Sequence, residues 1–141
     1  MSATPARDPF VGAWTLNISA SAFDRNHRPR SGRMRIEIDA DGWIVMTAEG
    51  VTEKGEPCVE RPNRLNPDGN VYPVPDFAGL AVRTTRPDAN TLQTECRRQD
   101  GTLVGAGTFS ISADGRSLIA TTQGWDSQLR DFKQTTQWER Q

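Results

Sequence analysis

The sequence contains few of the residues that hold metals or act as nucleophiles. Its 141 residues include one histidine, one tyrosine and two cysteines. The cysteines are too far apart for a Cys-x-x-Cys site, and His27 lies in an arginine- and proline-rich segment that predicts a surface position. No glycine-rich phosphate loop or nucleophile elbow is found. We therefore expect neither a metal nor a cofactor.

Long apolar runs and a charge excess are also missing. No apolar stretch reaches the ~18 residues of a membrane-spanning helix, and the N-terminal residues lack the apolar core of a secretory signal. We therefore expect a cytoplasmic protein, with a trimmed exported protein as the alternative. The thiols of Cys58 and Cys96 could form one disulfide, but reduced thiols fit the cytoplasmic location better. The net charge is -1, from 17 basic and 18 acidic residues, which argues against nucleic acid as a partner. The basic residues 25–30 predict a solvated loop, with contact to an acidic ligand as the alternative.

Turn signals are frequent and regularly spaced. An Asp-Gly pair tolerates the positive φ of a tight hairpin, so each such pair between β-prone segments predicts a hairpin. These pairs are Asp41-Gly42, Asp68-Gly69, Asp100-Gly101 and Asp114-Gly115, with Lys54-Gly55 as a weaker version.

The segments between the turns predict about nine strands and no long helix. They are Val11–Ile18, Arg33–Asp39, Trp43–Gly50, Glu56–Leu65 with an interruption at Pro62, Leu80–Thr85, Thr91–Arg98, Thr102–Ser112, Arg116–Gly124 and Arg130–Arg140. Two segments depart from the hairpin pattern. Residues Ser21–Asp24 are predicted to form one helical turn, with Phe23 as a lid over one end of the folded strands. Residues Tyr72–Gly79 are predicted to form an irregular connection.

This pattern predicts an all-β fold, a single up-and-down antiparallel barrel of about eight to ten strands. Closure of such a meander removes the exposed edges that would pair with other chains. We expect one domain over residues 1–141, with residues 1–8 as a flexible N-terminal segment. The oligomeric state is left open.

The first and last strands resemble those of the calycin superfamily. Phe10-Val11-Gly12-Ala13-Trp14 matches the Phe-x-Gly-x-Trp of fatty-acid-binding proteins and contains the Gly-x-Trp of lipocalins. The resemblance implies that Trp14 plugs one end of a barrel and that Arg140, on the last strand, packs across it. The whole chain resembles small bacterial lipocalin-like proteins through the segments Asp8–Trp14, Asp68–Val74, Arg86–Thr91 and Ser112–Gly115.

Strand alternation, with Trp14 facing inward, predicts which side chains face the interior. A barrel of this size can be filled by side chains or can enclose one small ligand. The predicted wall mixes aromatic, aliphatic and neutral polar groups, as ligand pockets do. The candidate ligand-binding residues are Met34, Met46, Cys58, Thr94, Cys96, Thr122, Trp125, Phe132, Gln134 and Thr136.

Two functions are compatible with this wall. The first is binding of a small apolar or amphipathic molecule. The alternative is a cofactor-independent cyclase or isomerase that holds a flexible, natural-product-like substrate in one conformation. For the alternative, Glu60 and Tyr72 are the candidate catalytic residues: a carboxylate enclosed by apolar groups can exchange a proton near neutral pH, and a phenol can hydrogen-bond a carbonyl. A packed barrel with only a structural role is the third possibility.

Overall fold

The computed structural model describes residues 8–23, 28–60, 62–75, 77–125 and 131–141, except for the side chains of Trp125 and Phe132. These residues form eleven antiparallel strands. No described helix is long and apolar enough to cross a membrane. The strands are β1 Gly12–Ala22, β2 Ser31–Ile38, β3 Ile44–Val51, β4 Pro57–Val59, β5 Asn63–Leu65, β6 Val71–Pro73, β7 Leu80–Asp88, β8 Thr91–Arg98, β9 Leu103–Ile111, β10 Ser117–Trp125 and β11 Asp131–Arg140.

The strands follow an up-and-down order, with β1 paired to β11 so that the first and last strands lie side by side. β4 and β5 both pair with β3, and together they form one strand that is interrupted between Val59 and Asn63. The expected interruption at Pro62 is confirmed. Proline lacks an N–H for the ladder and is confined to edges and irregular positions of a sheet.

The hydrogen-bonded ladder does not close, contrary to the expectation of a fully closed barrel. It ends at β4 and β5 on one side and at β6 on the other, and the described residues show no pairing between these edges. The edges meet through side chains at one end, where the Trp43 and Tyr72 rings contact edge to face with centroids 4.7 Å apart. The sheet is therefore rolled into a barrel with a seam.

The interior of the barrel is built by strict alternation of side chains. On β2, Gly32, Met34 and Ile36 are buried, while Arg33 and Arg35 between them are exposed. The register places Trp14 opposite Met34 and Leu118 opposite Trp138, so these inward positions lie on a common face. The buried apolar core is formed by Phe10, Trp14, Met34, Ile36, Ile44, Met46, Leu65, Leu92, Phe109, Ile111, Leu118 and Ala120.

Four of the five predicted hairpins are present; at Asp68-Gly69 the turn forms, but the flanking strands β5 and β6 do not pair with each other. The five turn glycines that the Asp-Gly and Lys-Gly pairs supply have φ between 74° and 89°, a region that favours glycine. Asp68, Asp100 and Asp114 also fix their turns. Asp100 Oδ1, for example, accepts a hydrogen bond from the Thr102 N–H at 2.9 Å.

Two predicted segments differ from the structure. Ser21 and Ala22 belong to β1 and form no helical turn, because the Ser21 hydroxyl accepts a hydrogen bond from the Gln137 N–H (2.9 Å) and carries the strand across a bulge. Asp24, the last residue of the predicted turn, lies outside the described residues. The segment expected to be an irregular connection begins with β6, which pairs with β7.

Candidate functional site

The barrel encloses a cavity of about 630 Å³ above the buried core. Its apolar lining comes from both halves of the sheet and includes Leu16, Met34, Met46, Ala48, Phe109 and Trp138. Its neutral polar lining also comes from both halves: Thr122, Gln134 and Thr136 lie on the neighbouring strands β10 and β11, and Ser31, Thr52 and Asn63 lie on or next to β2, β3 and β5. The side formed by Thr122, Gln134 and Thr136 is called the polar wall below.

Hydrogen bonds orient the polar wall. The Trp138 indole Nε1 donates to Thr136 Oγ1 at 2.9 Å, and the Thr136 hydroxyl donates to the Ala120 carbonyl at 3.4 Å. Gln134 Oε1 is buried and has no hydrogen-bond partner among the described residues. Because buried polar atoms are nearly always paired, this oxygen marks the place on the wall where a partner is missing.

The mouth of the cavity is formed by the β3–β4 hairpin and the segment before β2. Its charged lining is mainly acidic: Glu49, Glu53, Glu56 and Glu60 face Arg28 and Lys54. Phe23 also lines the cavity, next to the end of β1. Its half-buried ring lies where a lid was expected, although the segment before it is a strand.

The opposite end is blocked by Trp14 and Arg140. The guanidinium carbon of Arg140 lies 4.2 Å from the centroid of the fully buried Trp14 ring. Arg140 also donates to three backbone carbonyls, those of Gly115 (2.8 Å), Val11 (2.8 Å) and Pro9 (2.6 Å). The arginine therefore ties the ends of several strands together across the indole.

The sequence-predicted ligand residues divide into three groups. Met34, Met46, Cys58, Thr122, Gln134 and Thr136 line the cavity. Thr94 and Cys96 are half-buried on β8 and do not belong to this lining. Thr94 lies within 3.4 Å of the Thr84 hydroxyl, and burial raises the pKa of the Cys96 thiol. Trp125 and Phe132 lie on β10 and β11, paired with Asp131 and Gly124, and their side chains lie outside the described residues.

Glu60 and Tyr72 occupy different places. Glu60 lines the cavity mouth and is exposed, so its carboxylate lacks the enclosed apolar surroundings on which the acid–base hypothesis depends. Tyr72 lies at the seam and does not line the cavity. Its hydroxyl donates to the Asp68 carboxylate and accepts from Asn66 Nδ2 at 3.1 Å. The bond to Asp68 raises the pKa of Tyr72, which disfavours its loss of a proton.

Two lining residues that the sequence analysis did not propose are Phe109 and Ala48. Phe109 lies opposite Leu92 on β8 and Ala120 on β10, and Ala48 lies opposite Met34 on β2. Alternation along β3 and β9 marks both as inward positions once the register is known. The described residues contain no group of histidine, cysteine and acidic side chains that could hold a metal ion.

No protein-family model and no curated protein sequence matches the chain. Solved structures do. The wild-type fluorescent protein UnaG superposes with a TM-score of 0.60 at 12% identity, over 94% of this chain and 97% of its own. The fold is that of a lipocalin-like β-barrel. A zebrafish ileal bile acid-binding protein, solved with cholic acid, gives a TM-score of 0.57 at 11% identity over 94% of this chain and 99% of its own. A designed fluorescence-activating β-barrel gives 0.51 at 13% identity over 99% and 100%. The lipocalin-like fold therefore extends over nearly the whole chain.

Proposed function

We propose that this lipocalin-like barrel binds a small apolar or amphipathic molecule in its cavity. The observation that carries the proposal is the cavity itself, whose volume of about 630 Å³ falls within the roughly 300–1,000 Å³ typical of ligand pockets. A side-chain-filled barrel would have no reason to keep such a volume, because protein interiors are otherwise packed to the density of organic crystals.

The lining supports the same proposal. Methionines at positions 34 and 46 offer an adaptable apolar surface, and Phe109 and Trp138 offer flat rings. The zebrafish protein that shares this fold is a bile acid-binding protein, solved with cholic acid, which is an amphipathic molecule. A ligand here would bury its apolar part against β2 and β3 and turn its polar groups toward β10 and β11.

A cavity-filling substitution tests the proposal. Ala120 is buried and lines the cavity, whereas the next residue on β10, Ile119, is exposed on the outer face. Ala120→Trp should abolish the fluorescence gain of N-phenyl-1-naphthylamine, a small uncharged probe of apolar sites. Ile119→Trp introduces the same side chain outside and should leave the gain intact. Equal gains in the two variants would show that the probe binds elsewhere.

The second candidate is a cofactor-independent cyclase or isomerase acting in the same cavity. Glu60 lines the cavity mouth, within reach of an entering substrate, although its carboxylate is exposed and not enclosed by apolar groups. The test of this candidate is turnover of a cyclisable amphipathic substrate by the wild type and by Glu60→Gln. Equal turnover rates of the wild type and Glu60→Gln would show that Glu60 takes no part in the reaction.

The cytoplasm is the proposed location. Cys58 and Cys96 are both free thiols, and Cys58 is exposed, a state that a reducing compartment preserves. Labelling of cells with a membrane-permeant thiol reagent before lysis should modify Cys58. Protection of Cys58 by oxidation would place the protein in an oxidising compartment.

A further inference from the structure

The polar wall of the cavity contains one buried hydrogen-bond acceptor that lacks a partner in the described part of the chain. Gln134 Oε1, a buried carbonyl-type oxygen, has no partner among the described residues. An amide oxygen can only accept, so its partner must bring an N–H or O–H group. Leaving such an oxygen unpaired in the interior costs more than an average hydrogen bond contributes.

The neighbouring hydroxyl, that of Thr136, already donates its proton in a hydrogen bond within the protein. Thr136 Oγ1 donates to the Ala120 carbonyl and accepts from Trp138 Nε1. A hydroxyl has one proton and two lone pairs, so the function left on Thr136 is a single acceptor. Gln134 and Thr136 are two positions apart on β11, so their side chains lie on the same inward face, and both line the cavity.

The charged lining of the mouth is mainly negative. Four of its charged residues are glutamates, against one arginine and one lysine. A carboxylate that entered this cavity would pass acidic side chains, and it has no proton to donate to Gln134 Oε1. Burial of a charge without a matching partner is strongly unfavourable.

On the basis of the proposed function, we infer that the ligand is an uncharged amphiphile whose polar end donates a hydrogen bond to Gln134, such as an alcohol or a primary amide. Its apolar body lies against Met34, Met46 and Ala48. This chemistry differs from that of an acidic amphiphile such as the cholic acid held by the zebrafish barrel.

Three amphiphiles of matched chain length separate the possibilities: dodecanamide, N,N-dimethyldodecanamide and dodecanoate. Each is used to displace N-phenyl-1-naphthylamine from the wild type near pH 8. Dodecanamide should bind about tenfold more tightly than its dimethyl analogue, which keeps the carbonyl but has no donor. Dodecanoate should bind more weakly than dodecanamide.

Two variants assign the preference to one side chain. Gln134→Leu keeps a similar volume and removes the acceptor, so the ratio between the two amides should fall to about twofold or less. Gln123→Leu makes the same change at an exposed position of β10 and should keep the wild-type ratio.

The outcomes distinguish this inference from the proposed function. Equal affinities of the two amides, or tightest binding of dodecanoate, would overturn the donor requirement while the cavity remained a binding site. A ratio that persists in Gln134→Leu would overturn the assignment to Gln134. If the probe itself does not bind, the proposed function fails, and the ligand class fails with it.

Discussion

Arg86 joins two sequence segments that the resemblance to lipocalin-like proteins identified separately. Its guanidinium donates to both carboxylate oxygens of Asp8 (2.7 and 3.0 Å) and to the Ala89 carbonyl (2.6 Å), and it lies 5.4 Å from the Phe10 ring centroid. Asp8 also accepts from the Phe10 N–H at 3.0 Å. The first motif is therefore anchored to the end of β7, and Asp8 is held although it was predicted within the flexible segment.

The Asp8–Arg86 pair predicts a pH-dependent contribution to stability. Burial alone would raise the pKa of Asp8, but the hydrogen bonds from Arg86 and from the Phe10 N–H outweigh it, so the pKa lies below its ordinary value of 3.8. A lowered carboxyl pKa stabilises the fold above the unfolded-state pKa, and this stabilisation is lost as pH falls through the folded-state pKa. Asp8→Asn should lower the free energy of unfolding by about 1 kcal/mol at neutral pH in urea titrations.

The same titrations at acid pH complete the test. Wild type and Asp8→Asn should converge as the pH drops below 3.8. Asp131→Asn, at an exposed position of β11, serves as the control and should change little. A difference between Asp8→Asn and wild type that stays constant into strong acid would contradict a role for the ionised carboxylate.

Arg140 is the second residue whose loss has a predictable cost. Arg140→Met keeps the apolar stem but removes the stacking on Trp14 and leaves three carbonyls without their donor. We expect the free energy of unfolding to fall by about 2–4 kcal/mol. Arg140→Lys keeps the charge but not the planar fork, so it should recover only part of this loss. Arg33→Met, at an exposed position of β2, is the control.

Across the seam, β5 and β6 are joined by the turn of residues 66–70 but share no ladder hydrogen bonds, so side chains supply the remaining contacts. Arg64 on β5 lies 4.6 Å from the Trp43 ring centroid and pairs with Asp39 (2.6 Å), while Trp43 contacts Tyr72 on β6. The hydrogen bond from Arg64 lowers the pKa of Asp39. This seam cluster of Asp39, Trp43, Arg64 and Tyr72 connects β5 to β6 where backbone pairing is missing.

Removal of Trp43 should therefore loosen the seam before the rest of the barrel. In Trp43→Leu, amide hydrogens of β5 and β6 should exchange about tenfold faster, since aromatic and cation–π contacts of this kind contribute about 1 kcal/mol or more. Amides of β9 and β10, far from the seam in the strand order, should keep their rates. A uniform acceleration over all strands would show that Trp43 supports the whole fold rather than the seam.

The pairing of β2 with β3 near the cavity mouth depends on a close backbone approach. A Cβ at Gly50 would lie 2.3 Å from the Ser31 carbonyl oxygen and 3.1 Å from the Gly32 Cα. Gly50→Ala should lower the free energy of unfolding by about 1–3 kcal/mol, because the backbone must shift. At Gly105 on β9 the nearest atom would be 3.6 Å away, an ordinary contact, so Gly105→Ala should be tolerated in the same thermal or urea measurement. Equal stability of the two variants would contradict the close approach.

For the whole molecule, sequence reasoning recovered the fold because its signals are local. Alternation along β2 and the Asp-Gly turns at 41–42, 100–101 and 114–115 depend only on neighbouring residues, and they agree with the structure. β6 was missed because three residues ending at Pro73 carry little local signal, and the strand exists through its pairing with β7. The open seam was missed because Asp68-Gly69 predicts a hairpin, whereas the strands on either side of this turn, β5 and β6, do not pair with each other.

The sequence predicted a cavity lined by inward-facing side chains, but not which of these side chains reach it. Alternation identifies inward positions, yet it does not say which of them are covered by other side chains. Leu92 and Phe109 are buried neighbours of Thr94 in the β8–β9 ladder, and the cavity lining does not extend to Thr94. Gln134 and Thr136 on β11 do reach the cavity. Which inward residues remain uncovered is a property of packing across the whole barrel.

Native mass spectrometry of the protein mixed with a panel of small amphiphiles decides whether the cavity is a binding site. We expect a one-to-one complex with at least one uncharged member of the panel in the wild type and in Ile119→Trp, and loss of that complex in Ala120→Trp. If no member of the panel binds the wild type, or if Ala120→Trp retains every complex, the cavity is not a ligand-binding site.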